Sequence, residues 1–232
     1  MRYELVSFDL DGTLVDTATE IAAAANMALA DFDIAPCALG EITLLIGAGT
    51  GELMSKLLAR AIAKQPELAG RVRTEALLAR MDRHYATASG TPARVYPGCN
   101  EALQDLRAAG VRMACVTNKE LRHARRVLEA TLLTNYFDLV IGGDSLGCKK
   151  PDPGVLKHVA LALQTPTSAA AHVGDSAIDV EAARGAGLAA WAVPYGYNGG
   201  VPIDTARPDR IFAGLTEVAS HVLASRGFAA KT

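Results

Sequence analysis

From residue 97 onwards the chain alternates short apolar runs with longer amphipathic segments, and this alternation restricts the possible folds more than any other feature. Strands are predicted at residues 4–8, 111–116, 139–141, 169–173 and 188–193, and helices at 97–109, 119–130, 153–163, 176–186 and 215–224. Strands and helices that alternate at this spacing form a parallel sheet with helices on both faces. The sequence therefore predicts an α/β fold with a Rossmann-like parallel sheet.

Residues 17–90 depart from this pattern, because their apolar positions recur at helical spacing and include no convincing strand. Helices are predicted there at residues 17–32, 39–46, 52–64 and 68–88. Because the strand at 4–8 belongs to the sheet, the helical block is an insertion after the first strand. The predicted domains are a Rossmann-like catalytic core at 1–15 and 91–232, and an inserted α-helical cap at 16–90.

Composition excludes several classes of protein. Half of the 232 residues are hydrophobic, which is enough for a core without disulfide or metal support. A net charge of −2 gives no field that attracts nucleic acid or anionic lipid, and the chain lacks both an apolar run of membrane-spanning length and a signal-peptide pattern. We therefore expect a cytoplasmic protein, a monomer or homodimer, whose partner is a small molecule rather than nucleic acid or a membrane.

Polar side chains follow four of the predicted strands, either where the strand ends or in the segment after it. They are Asp9 and Asp11, Thr117 and Asn118, Lys150, and Asp175 with Asp179. In open α/β sheets the active site forms at the carboxyl ends of the strands, so these side chains are expected to converge.

Four carboxylates at one place need positive charge, since each like-charged pair at ~4 Å costs about 4 kcal/mol at an effective dielectric constant of ~20. Lys150 offsets part of this repulsion, and a hard divalent cation with oxygen ligands would offset the rest. The predicted cofactor is Mg²⁺. Its predicted ligands are Asp9, Asp11, Asp175 and Asp179.

A carboxylate beside Mg²⁺, a lysine and a hydroxyl group favours phosphoryl transfer through an aspartyl-phosphate. Asp9 would attack phosphorus, and Asp11 would protonate the leaving oxygen and later activate water. The remaining strand-end residues would bind the equatorial phosphoryl oxygens, where charge collects in the transition state. The predicted catalytic residues are Asp9, Asp11, Thr117 and Lys150, and the predicted substrate-binding residues are Thr117, Asn118 and Lys150.

Four motifs resemble those of the haloacid dehalogenase superfamily, in the same order and over nearly the whole chain. They are DLDGTLVD at residues 9–16, VTN at 116–118, KPDP at 150–153 and GDSAID at 174–179. The helical insertion is similar to the small α-helical cap of that superfamily.

The resemblance implies a role for each motif residue. Asp9 would be the nucleophile and a metal ligand, and Asp11 the acid/base that also binds metal through its backbone carbonyl. Asp175 would be the third protein ligand, with Asp179 bound directly or through water. Lys150 matches the motif lysine better than Lys149 does.

The segment at residues 194–198, followed by Pro208 and Asp209, is similar to the phosphoglycolate phosphatase branch. Asp11 points to phosphatases and mutases, because the dehalogenases lack this second aspartate. The resemblance thus implies Mg²⁺-dependent hydrolysis of a phosphomonoester of carbohydrate metabolism, with 2-phosphoglycolate the favoured substrate. Alternatives in the superfamily are a sugar-phosphate phosphatase, a pyrophosphatase and a β-phosphoglucomutase-type mutase. An alternative of another class is a binding or signalling module phosphorylated on Asp9.

Substrate selection is expected from the cap, although no cap motif identifies the residues responsible. A substrate carboxylate would need a cationic or hydrogen-bonding partner, for which Lys56, Arg60 and the turn at residues 47–51 are candidates. The five histidines are scattered through the sequence, and none is predicted to be catalytic.

Overall fold

A parallel sheet forms the centre of the protein in the computed structural model, which describes residues 2–88, 90 and 93–227. The strands, numbered along the chain, are β1 (Leu5–Phe8), β2 (Val15–Asp16), β3 (Arg94–Val95), β4 (Arg112–Val116), β5 (Leu139–Ile141), β6 (Ala170–Gly174), β7 (Ala189–Ala192) and β8 (Arg210–Ile211). The main sheet has the order β5-β4-β1-β6-β7-β8, and each neighbouring pair in it is parallel. Strand β1 therefore lies between β4 and β6.

Helices cover both faces of this sheet, as the sequence predicts. The helices are α1 (Ala18–Ala30), α2 (Leu39–Thr43), α3 (Thr50–Lys64), α4 (Thr74–Ala88), α5 (Cys99–Ala108), α6 (Leu121–Ala130), α7 (Gly154–Ala162), α8 (Ala177–Ala186) and α9 (Leu215–Ser225). Because side chains alternate along a strand, Val6 and Phe8 pack with α5, α6 and α9. Leu5 packs on the opposite face with α7 and α8. The predicted α/β architecture is confirmed.

The inserted helices α1 to α4 bury a hydrophobic cluster of their own, which includes Ile21, Met54 and Tyr85. The chain enters the insertion through β2 and leaves it through β3, and these two strands pair antiparallel. The exact division into a core and a cap stays a prediction. Its boundary after residue 90 and the ends of the predicted core fall on residues 1, 89, 91, 92 and 228–232, which lie outside the described residues.

The helix predicted at residues 68–88 begins later than expected. Residues Pro66–Leu68 form a single 3₁₀ turn, and Gly70 has a φ of +82°, which a continuing right-handed helix cannot accommodate. The α-helix therefore starts at Thr74. Strands β2, β3 and β8 have two residues each and were not predicted, since so short a segment has no detectable alternation.

In the part of the chain that the structure describes, every helix is too short or too polar to cross a lipid bilayer.

Candidate active site

Three buried carboxylates meet where the central strands end. Asp9 directly follows β1, Asp175 directly follows β6, and Asp179 lies in the first turn of α8. Each residue contributes a carboxylate oxygen to a group in which all three atoms lie within 4.8 Å of one another. The pairing of β1 with β6 explains the cluster, because it places the carboxyl ends of the two strands side by side.

Lys150 neutralises part of this charge from inside the protein. Its ammonium lies 2.7 Å from Asp179 Oδ1 and 3.0 Å from Asp9 Oδ1, and the residue is 2% exposed. Burial lowers the pKa of Lys150, but the attraction of Asp179 and Asp9 outweighs it, so the pKa lies above its usual range. The lysine therefore stays charged within the cluster.

The three carboxyls differ in how readily they ionise. Burial raises the pKa of Asp9 to about 7, although Lys150 partly opposes the shift. Burial and the charges of Asp179 and Asp9 raise the pKa of Asp175 well above its usual range. Burial would raise the pKa of Asp179 as well, but Lys150 and His172 outweigh it and hold that pKa below the usual range. The ammonium of Lys150 thus favours the ionised form of Asp179 strongly, whereas Asp9 and Asp175 lack enough positive charge nearby.

Neighbouring groups fix the orientation of the two aspartates that follow β6. Thr13 donates to Asp175 Oδ1 at 2.7 Å, and the backbone N–H of Tyr197 donates to Asp175 Oδ2. The hydroxyl and backbone N–H of Ser176 donate to Asp179 Oδ2 at 2.6 and 3.1 Å. Asp179 is therefore both the N-terminal cap partner of α8 and a member of the carboxylate cluster, which leaves its Oδ1 for Lys150.

The turn after β1 needs glycine at residue 12. Gly12 has a φ of +85°, and a Cβ atom there would lie 2.4 Å from Asp175 Oδ2. Any larger residue would displace Asp175 from the cluster.

Asp11 occupies a different position from the one expected. The sequence predicts four converging carboxylates, but the carboxylate of Asp11 is not part of the cluster. Its two oxygens lie 2.8 and 2.9 Å from the ammonium of Lys119, and Thr17 donates to Oδ1 at 2.5 Å. The chain turns at residues 10–13 instead of continuing as a strand, and β1 lies beside β4, which brings Lys119 within reach.

A small cavity joins this edge of the sheet to the inserted helices. Its volume, measured as the space open to the centres of water molecules, is about 30 Å³. Sheet-side residues and residues of the insertion share its wall, which is formed by Asp9, Asp11, Thr117, Asn118, Lys119, Ile21, Ile46, Gly47, Gly49, Thr50 and Leu53.

The turn at residues 47–51 lies directly against the strand ends. Asn118 Nδ2 donates to the carbonyl of Gly47 at 3.0 Å, and Lys149 Nζ donates to the carbonyl of Ala48 at 2.9 Å. Thr50 also donates its hydroxyl to Glu120. Together with Ile21, Ile46 and Leu53, this turn forms the insertion's side of the cavity.

Lys56 and Arg60, the two cations suggested from the cap sequence, do not line this cavity. Lys56 forms a half-exposed ion pair with Glu52 on α3, at 3.2 Å. Arg60 lines a separate cavity of about 120 Å³ beside Cys37. Of the three candidates for holding a substrate carboxylate, the turn is the one that lines the cavity beside Asp9.

The predicted strand-end residues thus fall into two groups. Lys150 pairs with Asp9 and Asp179, and the carboxylates of Asp9, Asp175 and Asp179 lie within 4.8 Å of one another. Thr117, Asn118 and Asp11 line the adjacent cavity together with Asp9. The Nδ2 of Asn118 is engaged with two backbone carbonyls, those of Gly47 and Lys150. Its predicted contact with phosphoryl oxygens stays a prediction.

Sequence reasoning missed two residues at this site. Lys119 pairs with Asp11, and its position immediately after the Thr117-Asn118 motif is the signal that could have identified it. His172 lies 3.2 Å from Asp179 Oδ1 and 2.9 Å from the hydroxyl of Ser7. The position of His172 three residues before Asp175 did not indicate a contact with the site, because a histidine within a buried strand can equally be a packing residue.

Comparisons with known proteins find similar chains. A family model described as haloacid dehalogenase-like hydrolase matches residues 6–193. The plasmid-encoded phosphoglycolate phosphatase of Cupriavidus necator is 41% identical over 194 residues, which cover 84% of this chain and 82% of the relative. The phosphoglycolate phosphatase of Nitrosospira multiformis is 40% identical over 212 residues, covering 91% of this chain and 92% of the relative.

A solved structure has the same fold over almost the whole chain. It is the crystal structure of a predicted phosphoglycolate phosphatase from Haemophilus somnus, with a TM-score of 0.87 and 29% identity. The alignment covers 94% of this chain and 97% of the other.

Proposed function

The chain belongs to the haloacid dehalogenase-like hydrolases and is a phosphatase of that family, and we propose that it hydrolyses 2-phosphoglycolate with Mg²⁺ through a phosphorylated Asp9. The observation that carries this proposal is the buried cluster of Asp9, Asp175, Asp179 and Lys150, which adjoins a small cavity that also contains Asp11.

The carboxylate cluster fits a hard divalent cation. Asp9, Asp175 and Asp179 offer three oxygen ligands close together, which is the donor set that Mg²⁺ prefers. Burial, and then the charge of neighbouring carboxylates, raises the pKa of both Asp9 and Asp175, so added positive charge would favour their ionised forms. These three side chains would hold the ion, which when bound would supply positive charge to the phosphoryl oxygens.

In the first proposed step, a carboxylate oxygen of Asp9 attacks phosphorus and the bond from phosphorus to the ester oxygen breaks. This step requires Asp11 to carry a proton when the substrate is bound, and Asp11 donates that proton to the departing oxygen, so the alcohol leaves neutral. Lys150 lies 3.0 Å from Asp9 and directs the ionised oxygen while stabilising the added negative charge. Thr117 lines the same cavity, where its hydroxyl can donate to a phosphoryl oxygen.

In the second step, water attacks the phosphorus of the aspartyl-phosphate. Asp11, now ionised, accepts a proton from this water, and the bond between phosphorus and Asp9 breaks. The products are inorganic phosphate and the free Asp9 carboxylate, so the residues return to their starting state. Closure of the turn at residues 47–51 over the cavity excludes other water from the first step.

The substrate assignment is supported by the small cavity and by the named relatives. A small cavity between the sheet edge and the inserted helices favours a compact phosphomonoester over a nucleotide or a sugar bisphosphate. A compact acid phosphate such as 2-phosphoglycolate meets that requirement.

The test is phosphate release from a panel of metabolites, with 2-phosphoglycolate, glucose 6-phosphate, β-glucose 1-phosphate and pyrophosphate as members. We expect 2-phosphoglycolate to give the highest kcat/KM, a chelator to stop release and Mg²⁺ to restore it. Asp9→Asn should retain less than about 1% of the activity, since the amide is not a nucleophile. Full activity in excess chelator, or in Asp9→Asn, would contradict the mechanism. A higher kcat/KM for a sugar phosphate than for 2-phosphoglycolate would contradict the proposed substrate.

A further inference from the structure

Lys119 is a buried lysine beside the proposed acid/base. Its side chain is 3% exposed, and its ammonium lies 2.8 and 2.9 Å from the two oxygens of Asp11. The same ammonium lies 4.8 Å from the centre of the Tyr85 ring, which α4 contributes. The lysine thus connects the strand ends to the inserted helices.

The ammonium of Lys119 has a donor to spare. A lysine carries three N–H donors, and in the part of the chain that the structure describes its hydrogen-bond acceptors are the two oxygens of Asp11. Lys119 is also the one positively charged residue among the described residues that line the cavity beside Asp9. A buried cation with a remaining donor is therefore present where a small anion would lie.

Apart from Lys119, the cavity offers a second negative charge only uncharged partners among its described residues, such as the hydroxyl of Thr50 and the turn at residues 47–51. Ile21, Ile46 and Leu53 form its apolar side, and a carboxylate buried there without a partner would be strongly destabilised. The other nearby lysines are already engaged, since Lys150 pairs with Asp9 and Asp179, and Lys149 donates to the carbonyl of Ala48.

The geometry of the substrate matches this position. In 2-phosphoglycolate one methylene separates the ester oxygen from the carboxylate. Asp11 is the proposed donor to that ester oxygen, and the Lys119 ammonium is one hydrogen bond away from Asp11. A substrate whose leaving oxygen meets Asp11 therefore has its carboxylate within reach of Lys119.

We propose that Lys119 is the specificity-determining residue that binds the carboxylate of the substrate. This inference rests on the proposed function, because it needs a phosphate ester that also carries a carboxylate. Tyr85 supports the role by covering the ammonium and keeping bulk water from it.

The experiment compares kcat/KM for 2-phosphoglycolate and for ethyl phosphate, in which a methyl group replaces the carboxylate. The ratio of the two values cancels any effect of Lys119 on Asp11, since both substrates need the acid. In Lys119→Met the ratio should fall at least 30-fold, which corresponds to about 2 kcal/mol. Lys56→Met removes an exposed lysine from the cap and should leave the ratio unchanged.

An unchanged ratio, whether both substrates lose activity equally or neither does, would overturn the inference, because Lys119 would then act only through Asp11 or not at all. Lys119→Gln keeps an N–H donor for Asp11 and should also lower the ratio at least tenfold, so it decides the question if Lys119→Met does not melt cooperatively. Failure of the wild-type protein to release phosphate from either ester would instead reject the proposed function.

Discussion

Lys149 and Lys150 are neighbours in the chain, but their side chains lie in different surroundings. The ammonium of Lys150 is buried between Asp9 and Asp179, whereas Lys149 is exposed and donates to the carbonyl of Ala48. The peptide bond that follows Lys150, to Pro151, is cis.

These surroundings predict different losses of activity. Lys150→Ala should lower kcat/KM for 2-phosphoglycolate at least 1000-fold, or about 4 kcal/mol, because it removes the charge beside the nucleophile. Lys149→Ala should lower it about fivefold, or ~1 kcal/mol, since one exposed hydrogen bond to the turn is lost. Steady-state kinetics of the two variants checks this, with thermal melts to confirm folding. Equal losses would show that the lysine beside Asp9 has no special role.

Glu20 is a further buried carboxyl, which lies outside the cluster of Asp9, Asp175 and Asp179. Tyr85 donates its hydroxyl to Glu20 Oε1, and the backbone N–H of Gly90 donates to Oε2 at 2.6 Å. Burial raises the pKa of Glu20. A raised pKa means that folding favours the protonated form, so the contribution of this group is fully present below its unfolded pKa and is lost as pH rises through the folded pKa.

Glu20→Gln should therefore become more stable relative to the wild type as pH rises from about 4 to 8. Glutamine can keep both hydrogen bonds, because its carbonyl accepts from Gly90 and its amide donates to the Tyr85 hydroxyl. The measurement is the free energy of unfolding in urea at several pH values. Glu101→Gln, at an exposed site on α5, records the effect of removing a surface charge. A constant difference between Glu20→Gln and the wild type would refute the expectation.

At the scale of elements, the turn at residues 47–51 determines how the insertion meets the sheet. Gly49 has φ +93° and ψ 165°, a conformation that is essentially restricted to glycine. A Cβ atom there would lie 3.0 Å from the backbone oxygen of Asn118 and 3.2 Å from Lys149 Nζ. Gly51 lies two residues further on, in α3, and a Cβ atom there would meet nothing within 4 Å.

The two glycines form a matched pair of test sites. Gly49→Ala should lower the free energy of unfolding by about 1–3 kcal/mol and raise KM, because the turn can no longer close against Asn118. Gly51→Ala should be neutral or slightly stabilising, since alanine is favoured over glycine in a helix by up to about 1 kcal/mol. Urea unfolding and kinetics of both variants check this. Similar behaviour of the two would mean that the contact at Gly49 does not matter.

The elements that sequence could predict are those with a strong local pattern. The strands that became β1, β4 and β6 are apolar runs that end at a polar residue, and both features are visible in the chain. The start of α4 was missed because Pro66–Leu68 and Gly70 break a pattern that otherwise continues from Leu68. Strands of two residues exist only because a partner strand is present, so β2 and β3 have no signal of their own.

The parts of the site that were predictable are likewise those with a signal in the local sequence. Convergence of Asp9, Asp175 and Lys150 follows from the rule that active sites form at strand ends. The pairing of Asp11 with Lys119 does not follow, because it depends on a turn after β1 and on which strand lies beside it. The cations of the cap were misplaced because helical periodicity shows which face is apolar but not which neighbour that face meets.

At the scale of the whole molecule, the described residues form three hydrophobic clusters. Two cover the opposite faces of the sheet, and the third lies among α1 to α4. The cavity lies between the sheet edge and the inserted helices, so its shape depends on both. The inserted helices can therefore control access and selectivity while the carboxylate cluster stays on the sheet.

Removal of the insertion should separate these two contributions. Because Val15 pairs with Val95 and Asp16 pairs with Arg94, the chain enters and leaves the insertion at adjacent points, and a short linker can replace residues 18–88. Such a protein should keep Asp9, Lys150, Asp175 and both clusters on the sheet. We expect it to melt cooperatively and to hydrolyse an activated aryl phosphate.

The shortened protein should, however, lose its preference for 2-phosphoglycolate over ethyl phosphate by at least about tenfold, or ~1.4 kcal/mol. Lys119 would remain, but without Tyr85 and the apolar wall of Ile21 and Leu53 its ammonium would be exposed to water. An exposed ion pair contributes far less than a buried one, because water screens it. Measurement of kcat/KM for both esters with the folded, shortened protein decides the matter. If the preference persists, selectivity resides in the sheet-side residues alone, and the hydroxyl of Tyr195, which donates to the carbonyl of Thr13 at 2.9 Å, becomes the next group to vary.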